Sequence, residues 1–196
     1  MLAPVRVTAP ALPPVSLTQA KAHLRVEHDE DDLYISELID TATARLDGWS
    51  GILGRALVTQ TWRHDFPGWP EDGKLRLPLA PVLSVEGITY IAPDGAVQTL
   101  DASAYTAPRA DGLGPYVRLR QGHSWPATAR DEDAVSVTFT AGYGATVAAV
   151  PADIRHAILL LVGHWYNARE AASETALTEL PLGVSALLAP YRRISL

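Results

Sequence analysis

The chain switches hydrophobic period twice, and those two switches constrain its fold more than any other feature. Residues 16–54 read as helical. Ser16 and Gln19 form an S-x-x-Q capping box for a short helix reaching about Val26. A longer helix is expected from about Asp29 to Trp49. Its apolar residues Ile35, Leu38, Ile39, Ala42, Leu46 and Trp49 recur at i, i+3, i+4 and i+7 and make one buried stripe. Gly51 and Gly54 then stop it, as glycine does where the chain must turn left-handed.

Residues 55–144 change to a strand period. "AVSVTFT" puts Val135, Val137 and Phe139 on one face and Ser136, Thr138 and Thr140 on the other. "GITYIAPDGAVQTL" reads as two strands joined at Pro93-Asp94-Gly95, where proline presets φ and glycine accepts a positive one. "RALVTQTWRHDF", "KLRLPL" and "YVRLR" supply further short strands. Helical period returns at Pro151, a favoured first residue, with Asp153 placed in the positive end of the helix dipole. Ile154, Ala157, Ile158, Leu161, Trp165 and Ala168 form the stripe, widened by Leu159, Leu160 and Val162 until the helix is apolar nearly all round. A short helix is expected at about residues 184–189.

The expected fold is therefore α+β: a core of antiparallel helices, a large β-rich insertion and extended terminal arms. The divisions fall at 1–54 (N-terminal arm and first part of the helical core), 55–146 (β-rich insertion) and 147–196 (central helix and C-terminal arm). The start "MLAPVRVTAPALPPVSL" holds four prolines and no continuous apolar core, so it reads as an extended arm rather than a signal peptide. The longest apolar run, "AILLLVG", is far too short to span a bilayer, so no membrane partner is expected.

Composition narrows the function. With 47% hydrophobic and 19% charged residues the chain is an ordinary globular one, and a net charge of −6 argues against a general nucleic-acid clamp. The absence of cysteine excludes disulfides, thiolate metal sites and cysteine nucleophiles.

The stretch "HDEDD" (His28 to Asp32) raises the question of chemistry. Four consecutive carboxylates beside a histidine suggest a divalent-metal site, and with it a metal-dependent hydrolase. Consecutive helical residues point about 100° apart, however, so four neighbours do not converge on one ion. Only Asp29 and Asp32 share a side, which continues through Ser36, Asp40, Thr43 and Asp47 as a polar stripe. The favoured reading is a helix start and solvated face, with the metal site as its competitor. His156 and His164 are eight residues apart, about 12 Å of rise, and so do not share a zinc ion. "GWSGI" lacks the last glycine of a nucleophile elbow, and "GYG" lacks the rest of a phosphate loop. Arg118 and Arg120 alternate with Val117 and Leu119, which reads as a solvated strand face first and a phosphate contact second. No acid, base and nucleophile assemble, and no cofactor is implied.

Several segments, in order, resemble one family: "VSLTQAKAHLRV", "DEDDLYISELIDTATARLDGWSG", "RALVTQTW", "PLAPVLSVEGITYIAPDGAVQTLDASAY", "AVSVTFTAGYG", "VPADIRHAILLLVGHWYNARE" and "LPLGVSALLAPYR". It is the head–tail connector, or adaptor, family of long-tailed bacteriophages, also found in prophages and gene transfer agents. The resemblance runs from Val15 to Arg193, and each piece is weak alone.

What the resemblance implies is a non-enzymatic subunit of the virion neck, made in the host cytoplasm. It would form a ring, twelve copies by analogy with the twelve-fold portal, that docks beneath the portal protein and extends the channel for double-stranded DNA. A stopper or tail-terminator protein would dock next, and DNA would pass without sequence-specific binding. A tail-completion or stopper protein is the nearest alternative. In such a ring Asp29, Asp32, Asp40 and Asp47 become channel-facing candidates, where like charge keeps DNA from sticking. His156, His164, Trp165 and Tyr166 become subunit-interface candidates, since neighbours can cover an apolar helix that one subunit leaves bare. The C-terminal segment becomes a portal-binding arm through Leu182, Val184, Leu187, Leu188, Tyr191, Arg192 and Arg193. Its helix is too short to hold alone and needs a surface, either the portal or the subunit's own core.

Overall fold

A computed structural model describes residues 2–168 and 182–192. The chain divides into two compact units, one of residues 1–10 and 59–143, the other of residues 11–58 and 144–196. The fold is α+β.

The helical unit holds α1 (Leu17–Leu24), α2 (Asp32–Leu46), α3 (Ala152–Asn167) and α4 (Leu182–Leu188), the last followed by a 3-10 turn, Ala189–Tyr191. The capping box forms as expected: the Gln19 amide donates to Ser16 Oγ at 3.2 Å, and the Ser16 amide donates to Gln19 Oε1 at 3.0 Å. Ile35, Leu38, Ile39, Ala42 and Leu46 of α2 are buried, together with Ile154, Ala157, Ile158, Leu161, Val162 and Trp165 of α3. Helix α3 packs on α1, α2 and α4. Burying each of these Leu and Ile side chains is worth about 1.5–3 kcal/mol, which is how two segments distant in sequence hold one core.

Trp49 is a correction. Helix α2 ends at Leu46, and Gly48 at φ 78° takes the chain out of the helix, so Trp49 leaves the stripe and is 42% exposed. Gly48 donates to the Arg55 carbonyl at 2.7 Å, closing the loop. Gly51 is required by close approach: a Cβ there would lie 2.4 Å from the Asp47 carbonyl oxygen. The segment after it, Ala56, Leu57 and Val58, is buried and belongs to the helical unit rather than to a strand.

The β unit contains two antiparallel sheets. The larger joins β1 (Val5–Thr8), β2 (Gln60–Phe66), β8 (Val135–Ala141), β4 (Val82–Ile91) and β5 (Val97–Thr99), in that order. The smaller has β3 (Lys74–Arg76) and β6 (Arg109–Asp111) on either side of β7 (Gly114–Arg118). The alternation of β8 is complete: Val135, Val137, Phe139 and Ala141 are fully buried while the residues between them are half-buried. Two strands were not read from sequence. The N-terminal arm is extended as expected, but Val5–Thr8 is an edge strand paired with β2. Arg109–Asp111 pairs with β7 in a hairpin turning through Asp111-Gly112-Leu113-Gly114.

Candidate functional site

The acidic start of α2 distributes its charges instead of pooling them. Lys21 of α1 reaches both Asp29 (2.6 Å) and Asp32 (2.7 Å). Glu30 takes His28 Nδ1 at 2.8 Å, and the Tyr166 hydroxyl of α3 donates to the Asp31 carboxylate. Four neighbouring carboxylates thus serve three different partners, as the 100° step of a helix and its preceding turn dictates. The hydrogen bonds from Lys21 hold the Asp29 carboxyl below its ordinary range, and those same bonds, to Asp29 and then Asp32, raise the lysine. Among the described residues no group of three or more histidines and carboxylates stands as a metal site.

The polar stripe breaks at its far end. Asp40 is exposed, but Asp47 is 5% exposed and accepts the Leu57 amide at 2.7 Å. Because the helix has ended one residue earlier, Asp47 turns inward to tie down the following loop, and it is withdrawn as a channel-facing residue.

On α3 the interface candidates separate. His156 and His164 are exposed, and His156 meets His23 of α1 edge to face at 6.0 Å. Burial, and then His156, lower the His23 imidazole. Tyr166 is half-buried and lies 6.1 Å from the Tyr34 ring. Trp165 is buried within its own subunit, so it is corrected from interface to core.

The C-terminal segment is docked on its own unit. Val184 and Leu188 are fully buried, and α4 packs on α3. Beyond it, Arg55 Nε donates to the Tyr191 carbonyl at 2.7 Å, and the Tyr191 hydroxyl reaches the Asp153 carboxylate at 3.2 Å. Val184 and Leu188 therefore pack in the subunit's own core, one of the two surfaces open to so short a helix. Leu187 is half-buried, Leu182 is 90% exposed and Arg192 is exposed. Arg193 lies outside the described residues. The contacts of Lys21 with Asp29 and Asp32, of Arg55 with Tyr191 and of Tyr191 with Asp153 escaped the sequence reading because nothing local marks a partner on another element.

The α1–α2 pair, the long α3 and the short α4, with β2, β3 and β8, are also what a family model recognises. The model of the phage gp6-like head-tail connector protein matches residues 14–81 and 127–192. The chain belongs to this family.

This connector is a structural protein by family. The unmatched residues between the two segments carry all of β4, β5, β6 and β7. Three solved structures share its fold at 24% identity, each alignment covering 100% of this chain and 97% of the other. They come from the neck of an empty gene transfer agent particle computed with C6 symmetry (TM-score 0.79), the virion of a native gene transfer agent particle (0.77), and the neck of a native particle computed with C12 symmetry (0.67). No curated protein matches the connector.

Proposed function

We propose that this connector works by assembly rather than catalysis, as one subunit of a ring in the virion neck. The ring docks beneath the portal protein, continues the channel for double-stranded DNA, and presents its far side to a stopper or tail-terminator protein. The observation that carries this reading is the family match over residues 14–81 and 127–192, joined to a fold shared along its whole length with chains of gene transfer agent particles. Twelve copies suit the twelve-fold portal implied by the family.

The helical unit leaves Leu33 (75% exposed) and Leu182 uncovered, together with Trp49 and Ile52 in the loop after α2. Such side chains suit burial against neighbouring subunits or the portal, with the exposed His156, His164 and Arg192 completing those contacts by polar groups. Asp29, Asp32 and Asp40 remain as channel-facing residues. The first two keep a screened charge because they share Lys21.

The test is co-sedimentation of the purified protein with isolated portal rings, followed by image averaging of the complexes. A ring of added density beneath the portal is expected. Failure to co-sediment, or binding to the tail-tube end instead, overturns the reading.

A further inference from the structure

The outer face of the three-stranded sheet concentrates positive charge in an acidic protein. Leu75 and Val117 are paired across β3 and β7 and are fully buried, so the residues on either side of each face the other way. That opposite face carries Lys74 and Arg76 from β3, Tyr116 and Arg118 from β7, and Arg109 from β6. Register makes one row of it cation, aromatic, cation: Arg76 lies opposite Tyr116, and Tyr116 opposite Arg109. Lys74 Nζ stands 4.6 Å from the Tyr116 ring centre and the Arg76 guanidinium carbon 5.9 Å from it.

Two carboxylates answer four cations. Asp111 takes Lys74 at 2.9 Å and Arg76 at 3.0 Å, and Asp72 takes Arg76 at 3.4 Å. Lys74, then Arg76, hold the Asp111 carboxyl well below the usual carboxylate range, so it is already engaged twice. Arg109 and Arg118 are exposed and have no ion-pair partner among the described residues.

The placement of Arg118 is not explained by folding. It lies directly opposite Lys74 in an antiparallel pair, where like charges destabilise a sheet. Charge on an edge strand guards against aggregation, which accounts for Arg109. Arg118, however, is on the central strand, where there is no edge to guard.

We infer that this sheet face contacts the phosphate backbone of double-stranded DNA. Cations two residues apart on one strand repeat at about 6.8 Å, and the next strand lies about 4.8 Å away. This is an open grid, suited to a line of identical anions rather than to one recognised group. Phosphate contacts of that kind position a duplex and carry no sequence information. The inference rests on the neck reading, which makes DNA the polyanion that meets the ring.

The test is fluorescence anisotropy of the whole protein with a short labelled duplex at several salt concentrations. Two to four phosphate contacts predict a log–log salt slope between about −2 and −4, which is a loss of affinity of roughly 15- to 250-fold from about 50 to 200 mM salt. Arg109→Gln and Arg118→Gln should each reduce the slope by about 1, equally on two unrelated sequences, with a melting temperature no lower than wild type. Both variants should still co-sediment with portal rings, an assay without DNA that keeps this inference separate from the neck reading. No binding at about 50 mM salt, or binding indifferent to both substitutions, overturns it. So does self-association of the wild type that the substitutions abolish in the absence of DNA binding, which would assign the face to an acidic surface of a second copy.

Discussion

The Leu57 amide donates to the Asp47 carboxylate at 2.7 Å, joining the end of α2 to the segment ten residues on. The bond lies in the interior and holds the loop in which Gly48 and Gly51 make their turns. Replacing Asp47 by alanine strands a buried N–H, a loss of about 1–3 kcal/mol. Asp47→Asn keeps an acceptor and should recover part of it. Urea melts of both variants check the order, and an alanine variant as stable as wild type would refute it.

The docked C-terminal segment separates its buried residues from its exposed ones. Leu188 is fully buried, so Leu188→Ala should destabilise the subunit by about 2–5 kcal/mol. Leu182 is in water, and Leu182→Ala should change stability by less than about 0.5 kcal/mol while weakening co-sedimentation with portal rings. If both variants melt alike, α4 does not hold the core.

His64 predicts an acid-side loss of stability. Its side chain is fully buried in β2, neither ring nitrogen has a hydrogen-bond partner among the described residues, and Phe66 lies 4.5 Å away ring to ring. Burial lowers its pKa below 6.5, against the opposing pull of Asp65. The folded state thus keeps the neutral ring while the unfolded chain takes up a proton. Stability from this group is complete above pH 6.5 and falls as the pH drops below it, by at most about 1.4 kcal/mol per pH unit. Denaturant midpoints measured downward from pH 7 should decline, and His64→Leu should flatten that decline. An unchanged profile would show that another group titrates.

The partition of Asp29, Glu30, Asp31 and Asp32 among Lys21, His28 and Tyr166 predicts weak interaction with divalent ions. Calorimetric titration with magnesium or manganese should release no binding heat at millimolar metal. A saturable isotherm lost in Asp29→Asn/Asp32→Asn would revive the hydrolase reading.

Local rules carried much of this protein into view. The capping box at Ser16, the apolar stripes of α2 and α3, and the alternation of β8 depend on neighbours within a turn or a strand, so they are written in the order of residues. Order and spacing of the motifs also carried the family. The tertiary structure decided whatever depended on a distant partner. Val5–Thr8 becomes a strand only because β2 offers an edge, and Asp47, just past the end of α2, leaves the acid stripe to accept the returning Leu57 amide. Val184 and Leu188 find their surface on α3, a choice between own core and partner that a short apolar helix does not record. The basic sheet face likewise exists only in register, since Lys74, Arg109 and Arg118 are scattered along the sequence until β3, β7 and β6 align them. Periodicity states which side of an element is apolar, and packing alone determines what that side meets.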